Sequence, residues 1–217
     1  MKTLDQIMLS VRTDKASKYH NYTPVYEYYF KPLRHKEIVL LELGIGNIES
    51  ENREGESLKG WMEYFENGSC YAIDNSLVNV GRTPRSFLCD QTDKEGLENL
   101  IKGFGNPDII IDDASHIQKN TMKSFQILFP LLKSGGFYCI EDTVTAYWPD
   151  WGGHHRTFHY TNEPPLTIMS LMFDLCHFIN LKRQETFNPP KKTTISDWIK
   201  EIDSIHFHHS QIIIRKK

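Results

Sequence analysis

Pro107-Asp108-Ile109-Ile110-Ile111-Asp112-Asp113-Ala114-Ser115-His116 decides the fold of this chain, and Gly135-Gly136-Phe137-Tyr138-Cys139-Ile140-Glu141-Asp142 repeats its pattern one helix later. In each stretch a continuous apolar run gives way to a pair of acids. Strands buried on both faces read as such runs, and they belong to parallel sheets, which bind ligands at the carboxyl ends of their strands. If the two strands are neighbours, Asp113, Glu141 and Asp142 converge. Hard divalent cations take oxygen ligands, and Mg²⁺ favours a few carboxylates plus waters and substrate oxygens. His116, three residues beyond Asp113, is then placed to act as a base beside that cation.

Working outward, apolar runs alternate with helical patterns, which indicates crossover units and a parallel sheet. Ile38 to Leu43 is a first strand, followed by Gly44-Ile45-Gly46 and an amphipathic helix over Ser57 to Phe65. Cys70 to Ile73 is a second strand ending at Asp74, and Ser86 to Cys89 a third ending at Asp90. Ile109 to Ile111 is the fourth. A helix over about 117–133, with Ile127, Leu128, Leu131 and Leu132 on its apolar side, stops at Gly135-Gly136, and strand five runs into Glu141. Ser204 to His208 and Gln211 to Arg215 are separated by His209-Ser210 alone, so they form an antiparallel hairpin that closes the sheet.

The 217 residues fit one domain with a real core, 1–217. Residues 1–36 are an aromatic-rich helical lead-in containing Thr13-Asp14-Lys15, His20, Tyr22, Tyr26, Tyr29 and Phe30. Residues 143–182 are a Gly-, Pro-, Trp- and His-rich lid over 143–165 with an apolar substrate helix of about 166–181 behind it; loops of that length are usually functional or disordered. No internal repeat is present. With 25 basic and 28 acidic residues and a net charge of -3, nothing favours nucleic acid or an anionic membrane, and a small molecule is the expected partner. The start lacks the apolar core of a signal peptide and no apolar run approaches membrane-spanning length, so a cytoplasmic protein is expected. Cys70, Cys89, Cys139 and Cys176 are scattered without a CxxC pair and read as reduced, mostly buried thiols.

The loop Glu42-Leu43-Gly44-Ile45-Gly46-Asn47 lets backbone approach a ligand closely. It departs from the dinucleotide fingerprint, because the position of the third glycine is Glu49, which would set negative charge near a pyrophosphate. That disfavours a nicotinamide oxidoreductase; a carboxylate-rich loop suits a ligand carrying an ammonium or sulfonium. Asp74 stands where nucleotide-binding α/β folds place an acid on ribose hydroxyls. Its interval from Gly44 is lengthened by the polar insertion 47–56. Asp90-Gln91 is suited to reading an adenine edge. Each acid taken singly is at least as well explained as a helix cap or turn; it is their coincidence on successive strand ends that points to a ligand.

Thr13-Asp14-Lys15 with His20 and Tyr22, Leu41-Glu42-Leu43-Gly44-Ile45-Gly46, Gly55-Glu56-Ser57-Leu58 with Trp61, Ile73-Asp74, Asp90-Gln91-Thr92-Asp93, Asp108 to His116, Phe129 to Gly136, and Ile140-Glu141-Asp142-Thr143 with Tyr147-Trp148 together resemble the metal-dependent sugar O-methyltransferases typified by the macrocin and mycinamicin enzymes. The resemblance covers about residues 13–148. It implies a Rossmann-like class I methyltransferase of α/β class, with a mostly parallel seven-stranded sheet closed by the C-terminal hairpin. It implies S-adenosyl-L-methionine contacts from Glu42, Gly44, Gly46, Ser57, Asp74, Asp90, Gln91 and Asp113. It likewise implies Mg²⁺, or another divalent cation, on Asp113, Glu141 and Asp142, with His116 as general base. Ala114 stands where relatives often carry glycine. The implied partner is a small-molecule or glycan substrate, with no nucleic acid and no membrane span, and a homo-oligomer remains open.

Strand alternation points Asp112 and Asp113 to opposite faces; Asp113 takes the metal by resemblance and Asp112 is the secondary candidate. The plain alternative for the acidic clusters is solvated loop acids capping helices, yet converging carboxylates raise one another's pKa and call for a counter-ion. His116 has a plain alternative too, as the residue opening a helix at Ile117. His154, His155, His159, His206, His208 and His209 lack metal-ligand spacing and read as surface or packing residues. Trp148 and Trp151 are equally suited to stacking on a sugar face and to clamping the loop. A catechol-type O-methyltransferase and a non-catalytic methyl-donor-binding module are the competing classes; the presence of His116 with all three carboxylates weighs against the second.

Overall fold

The computed structural model describes residues 1–46, 55–76, 83, 85–154, 166–181 and 197–217. Among these, seven strands form one sheet in the order β3-β2-β1-β4-β5-β7-β6. β1 (Val39–Leu43), β2 (Ser69–Asp74), β3 (Ser86–Leu88), β4 (Ile109–Asp112) and β5 (Phe137–Ile140) run parallel. β7 (Gln211–Lys216) inserts antiparallel between β5 and β6 (Ile202–His208). The hairpin is therefore present as expected, and its second strand is the one that joins the parallel sheet. The order reverses at β1, and β4 lies on its other side, so the β1 and β4 ends flank the crevice where such sheets hold ligands.

Alternation along the strands divides the core into two layers. Leu41, Leu43, Ile73, Ile110, Tyr138, Ile140, Ile212 and Ile214 face α4 (Lys94–Phe104), α5 (Gln118–Leu128) and α6 (Ile168–Leu181). Leu40, Cys70, Ala72, Ile109, Ile111, Cys139 and Ile213 face α1 (Leu4–Val11), α2 (Thr23–Phe30) and α3 (Glu56–Tyr64). Helices thus cover both faces, which explains why the central strands are apolar throughout. The N-terminal layer is built on rings: Tyr26 lies edge-on to Trp61, and Phe30 packs against Trp61, Phe65 and Phe137.

Two elements differ from the sequence reading. α5 ends at Leu128 and continues as a 3₁₀ turn over Phe129–Leu131, because Pro130 has no N–H for the α-helical ladder. Its buried face is Thr121, Met122, Ser124, Phe125 and Leu128, while Ile127 and Leu131 are only partly buried. α4 was not marked from the sequence at all, although Asp93 caps it by accepting from the Gly96 N–H at 3.1 Å. The insertion over 47–54, the loop over 155–165 and the histidines His155 and His159 lie outside the described residues. No described helix is long and apolar enough to cross a membrane.

Candidate active site

A cavity of about 480 Å³ opens at the carboxyl ends of β1, β2 and β4, lined among others by Gly44, Gly46, Asp74, Asp90, Asp113, His116, Asp142 and Trp151. Its floor is set by Gly44, at φ +87°, where an added Cβ would stand 2.3 Å from the Asp113 carbonyl oxygen and 2.9 Å from Ala114 Cα. Only glycine allows β1 and β4 to end this close together.

On the β1–β3 side each acid is satisfied by neutral donors. Asp74 accepts from the Ile45 N–H at 3.1 Å and the Ser76 N–H at 2.7 Å. Asp90 accepts from the Thr92 N–H and hydroxyl, both at 2.7 Å, and these bonds hold its pKa below the ordinary value. Gln91 is buried; its amide nitrogen donates to Asp112 at 3.3 Å and its oxygen accepts from the Ser115 N–H at 3.0 Å. Glu42 and Ser57 meet behind the cavity wall, the hydroxyl donating to the carboxylate at 2.9 Å and Trp61 Nε1 adding a bond at 3.2 Å. Burial pushes the Glu42 carboxyl up to about 7, with Lys15 pulling the other way.

On the β4–β5 side the acids converge. Asp112 and Asp113 do point apart. Asp112 is buried, accepting from Tyr138 Oη at 3.0 Å and from Ser124, and burial pushes it up to about 6. It takes no part in the cavity. Asp113 Oδ1 and Asp142 Oδ2 lie 3.7 Å and 3.6 Å from His116 Nε2. These three side chains offer ligand atoms all within 4.8 Å of one another. His116 and Asp142 both hold left-handed backbone, φ +54° and +50°, a conformation that His and Asp adopt more readily than most residues and one that collects at functional turns. The residue opening α5 is Ile117, with no side-chain cap bond, so His116 is not spent on the helix. Its ring centroid lies 6.0 Å from that of Trp151, which lines the cavity; Trp148 is outside it and half exposed.

Glu141 stands apart from this group. Its Oε1 accepts from Tyr26 Oη at 2.5 Å and its Oε2 from Lys15 Nζ at 2.9 Å. Lys15 also bonds Asp113 Oδ2 and lies 3.6 Å from Glu42 Oε1. Burial acts to lower the Lys15 pKa, but Asp113, Glu141 and Glu42 together raise it well above the ordinary lysine value. Burial, and then the charge of Asp113, raise Glu141 well above the carboxylate range despite that ammonium. The sequence reading placed Lys15 in a motif without giving it a role; the only signal was the Thr13-Asp14-Lys15 cluster itself. Of the outlying histidines, His206 and His208 pack near Tyr29, with centroids at 5.5 Å and 6.0 Å.

The strand order, the glycine turn after β1 and the acids after β2 and β3 define a class I methyltransferase fold. No family model matches the chain. It is similar to the L-olivosyl-oleandolide 3-O-methyltransferase of Streptomyces antibioticus, 34% identical over 177 residues, covering 81% of this chain and 46% of that protein. It is similar also to the mycinamicin VI 2''-O-methyltransferase of Micromonospora griseorubida, 39% identical over 144 residues, covering 65% of this chain and 36% of that protein. Among solved structures, the MycE methyltransferase from the mycinamycin biosynthetic pathway, in complex with Mg and SAH, matches with a TM-score of 0.85 at 30% identity over 99% of this chain and 53% of that one. Over most of its own length the chain is thus similar to sugar O-methyltransferases of the macrocin and mycinamicin type. It spans about half the length of the curated relatives it matches.

Proposed function

We propose that this protein transfers a methyl group from S-adenosylmethionine to a sugar hydroxyl of a glycosylated small molecule, with a divalent cation at the β4–β5 end. The observation that carries the reading is the convergence of Asp113, His116 and Asp142 at the mouth of the cavity. A hard cation fits this donor set: the oxygens are carboxylate, and the surplus of buried acid over the single Lys15 ammonium calls for a second positive charge. A sulfonium-bearing nucleoside fits the cavity, whose wall carries Asp14, Asp74, Asp90 and Asp113.

Asp113 and Asp142 would hold the cation with their cavity-facing oxygens, and Glu141, whose oxygens accept from Tyr26 and Lys15, would join them on releasing one of those donors. Glu42, Gly44, Gly46, Ser57, Asp74, Asp90 and Gln91 would shape the donor's seat, Glu42 and Ser57 through their mutual bond behind the wall rather than from its surface. Bound there, the cation supplies acidification of a chelated hydroxyl and S-adenosylmethionine supplies the methyl group. The chain's own work is orientation and proton removal. His116 Nε2 faces the two aspartates and accepts the acceptor's proton, the general-base role that imidazole most often fills. Trp151 closes the side of the cavity next to His116 and offers a ring face to a sugar. Aligning acceptor oxygen and methyl carbon supplies a large share of the rate, and no covalent enzyme intermediate is required. The 1–217 chain acts as one methyltransferase domain. The four free cysteines support a reducing, cytoplasmic setting.

Calorimetric titration with S-adenosylhomocysteine and with NADH, followed by methyl-transfer assays on deoxysugar-bearing acceptors, tests the reading. It predicts binding of S-adenosylhomocysteine alone and methylation of a sugar hydroxyl. Binding of NADH in its place, or transfer to catechols but to no sugar, overturns it.

A further inference from the structure

Thr13-Asp14-Lys15, His20 and Tyr22 were marked in the sequence as a motif, and the reaction above gives them no task. The structure brings the segment they belong to behind the acidic strand ends. Residues 12–22 leave α1 through Arg12 at φ +65° and turn again at Asn21, φ +58°. They are pinned from outside by Asp5, which accepts from the Ser17 N–H at 2.7 Å and from the Thr23 hydroxyl at 2.6 Å. The Lys15 carbonyl accepts from the Tyr22 N–H at 2.9 Å and the Thr23 N–H at 3.2 Å, so Lys15 and the start of α2 form one rigid corner.

From that corner three side chains reach the three carboxylates. Lys15 Nζ bonds Asp113 Oδ2 and Glu141 Oε2, Tyr26 Oη donates to Glu141 Oε1 at 2.5 Å, and Tyr22 Oη donates to Asp142 Oδ1 at 2.5 Å. The other oxygens of the two aspartates, Asp113 Oδ1 and Asp142 Oδ2, are those facing His116. Each aspartate is thus gripped by one oxygen from behind and presents the other to the cavity. Lys15, Tyr22 and Tyr26 are all buried, at 1%, 2% and 0% exposure, so none of these donors is shared with bulk water. A carboxylate whose rear oxygen is already fixed loses no rotamer freedom when a cation arrives, and hydrogen-bond partners of this sort are worth about 10- to 100-fold in metal affinity.

We infer that Lys15, Tyr22 and Tyr26 are positioning residues for the divalent-ion site: the N-terminal segment orients Asp113 and Asp142 so that their free oxygens converge beside His116, and holds Glu141 next to them by both of its oxygens. The inference rests on the metal-binding part of the proposed function. Lys15 also stands 3.6 Å from Glu42, so the same ammonium ties the ion site to the carboxylate behind the cofactor loop.

The test is titration of Mn²⁺ alone into the ligand-free protein, read by the paramagnetic resonance of free Mn²⁺, with thermal melting recorded in parallel. Lys15→Met is expected to weaken Mn²⁺ binding by about 10- to 100-fold, Lys15→Arg to restore part of it, and Tyr22→Phe to weaken it by about 10-fold. A merely structural role would lower the melting temperature and leave the Mn²⁺ affinity alone. Wild-type or tighter Mn²⁺ binding in folded Lys15→Met overturns the inference, the second outcome making Lys15 a competitor of the ion. Should Lys15→Met fail to fold, Tyr22→Phe and Tyr26→Phe, which each remove one hydroxyl, carry the test, and unchanged affinity in both overturns it. A wild-type protein that binds no Mn²⁺ overturns inference and metal reading together. One that binds Mn²⁺, with variants weakened as stated, yet methylates no sugar supports the inference and overturns only the reaction.

Discussion

At the ends of β2 and β3, Asp90 closes its own loop and Asp74 ties its loop to the glycine turn after β1, both through backbone N–H or hydroxyl donors, whereas at the ends of β4 and β5 Asp113 and Glu141 share one ammonium brought from far along the chain. The first arrangement is complete as it stands and costs nothing to keep. The second collects like charges at low solvent exposure, which is unfavourable unless something cationic is bound there. An acid on a strand end is therefore not evidence of a site in itself; what distinguishes the β4–β5 end is that its charges are left in excess after every local donor has been used.

If that contrast is right, substitutions on the two sides move different readouts. His116→Ala carries the largest expected effect: turnover falls by about 10²- to 10⁴-fold while S-adenosylhomocysteine affinity stays within about twofold, as loss of a general base requires. Stopped assays and calorimetry on the same preparation check it, and a parallel loss of cofactor affinity would blur the two regions into one. Gly44→Ala tests their seam. With a Cβ 2.3 Å from the Asp113 carbonyl oxygen and a left-handed φ, the strand ends must part, and urea denaturation should show a loss of about 2–3 kcal/mol.

Asp112 sharpens the comparison from the reverse face of β4. Its carboxyl lies near 6 in the folded protein against 3.8 for the free group, so the native state keeps this proton longer than the unfolded chain does. The sign follows: the contribution is fully present below pH 4 and is lost as pH rises through about 6. Asp112→Asn should remove about 2 kcal/mol of that decline between pH 4 and 6, measured as the difference in urea midpoints from wild type. Asp74→Asn has the smallest effect. It should weaken S-adenosylhomocysteine about tenfold by calorimetry and leave Mn²⁺ affinity unchanged.

Much of this was legible along the chain because it depends on short-range rules. The alternation that separates Asp112 from Asp113 is a property of any strand, and the two-residue His209-Ser210 connection permits nothing but a hairpin. α4 carries short-range signals of the same kind, an Asp93 cap and a Gly105 stop with Leu97 and Ile101 on one face. Other features had no local trace. Lys15 lies 98 residues from Asp113 and 126 from Glu141, and nothing in the spacing of acids tells which base will fold among them. By contrast, the order at this edge has a trace: the run Ile212-Ile213-Ile214 suits β7 to the buried place beside β5, whereas Asp203, Ser204, His206 and His208 suit β6 to the edge.

The central claim is best tested by one assay: transfer of labelled methyl from S-adenosylmethionine to a deoxysugar-bearing acceptor, with Mg²⁺ and then with excess chelator. The account predicts methylation at a sugar oxygen that stops on chelation, returns when Mg²⁺ is restored, and is absent in folded Asp113→Ala. Methylation of the sugar that continues undiminished in chelator, or that survives in Asp113→Ala, would contradict it.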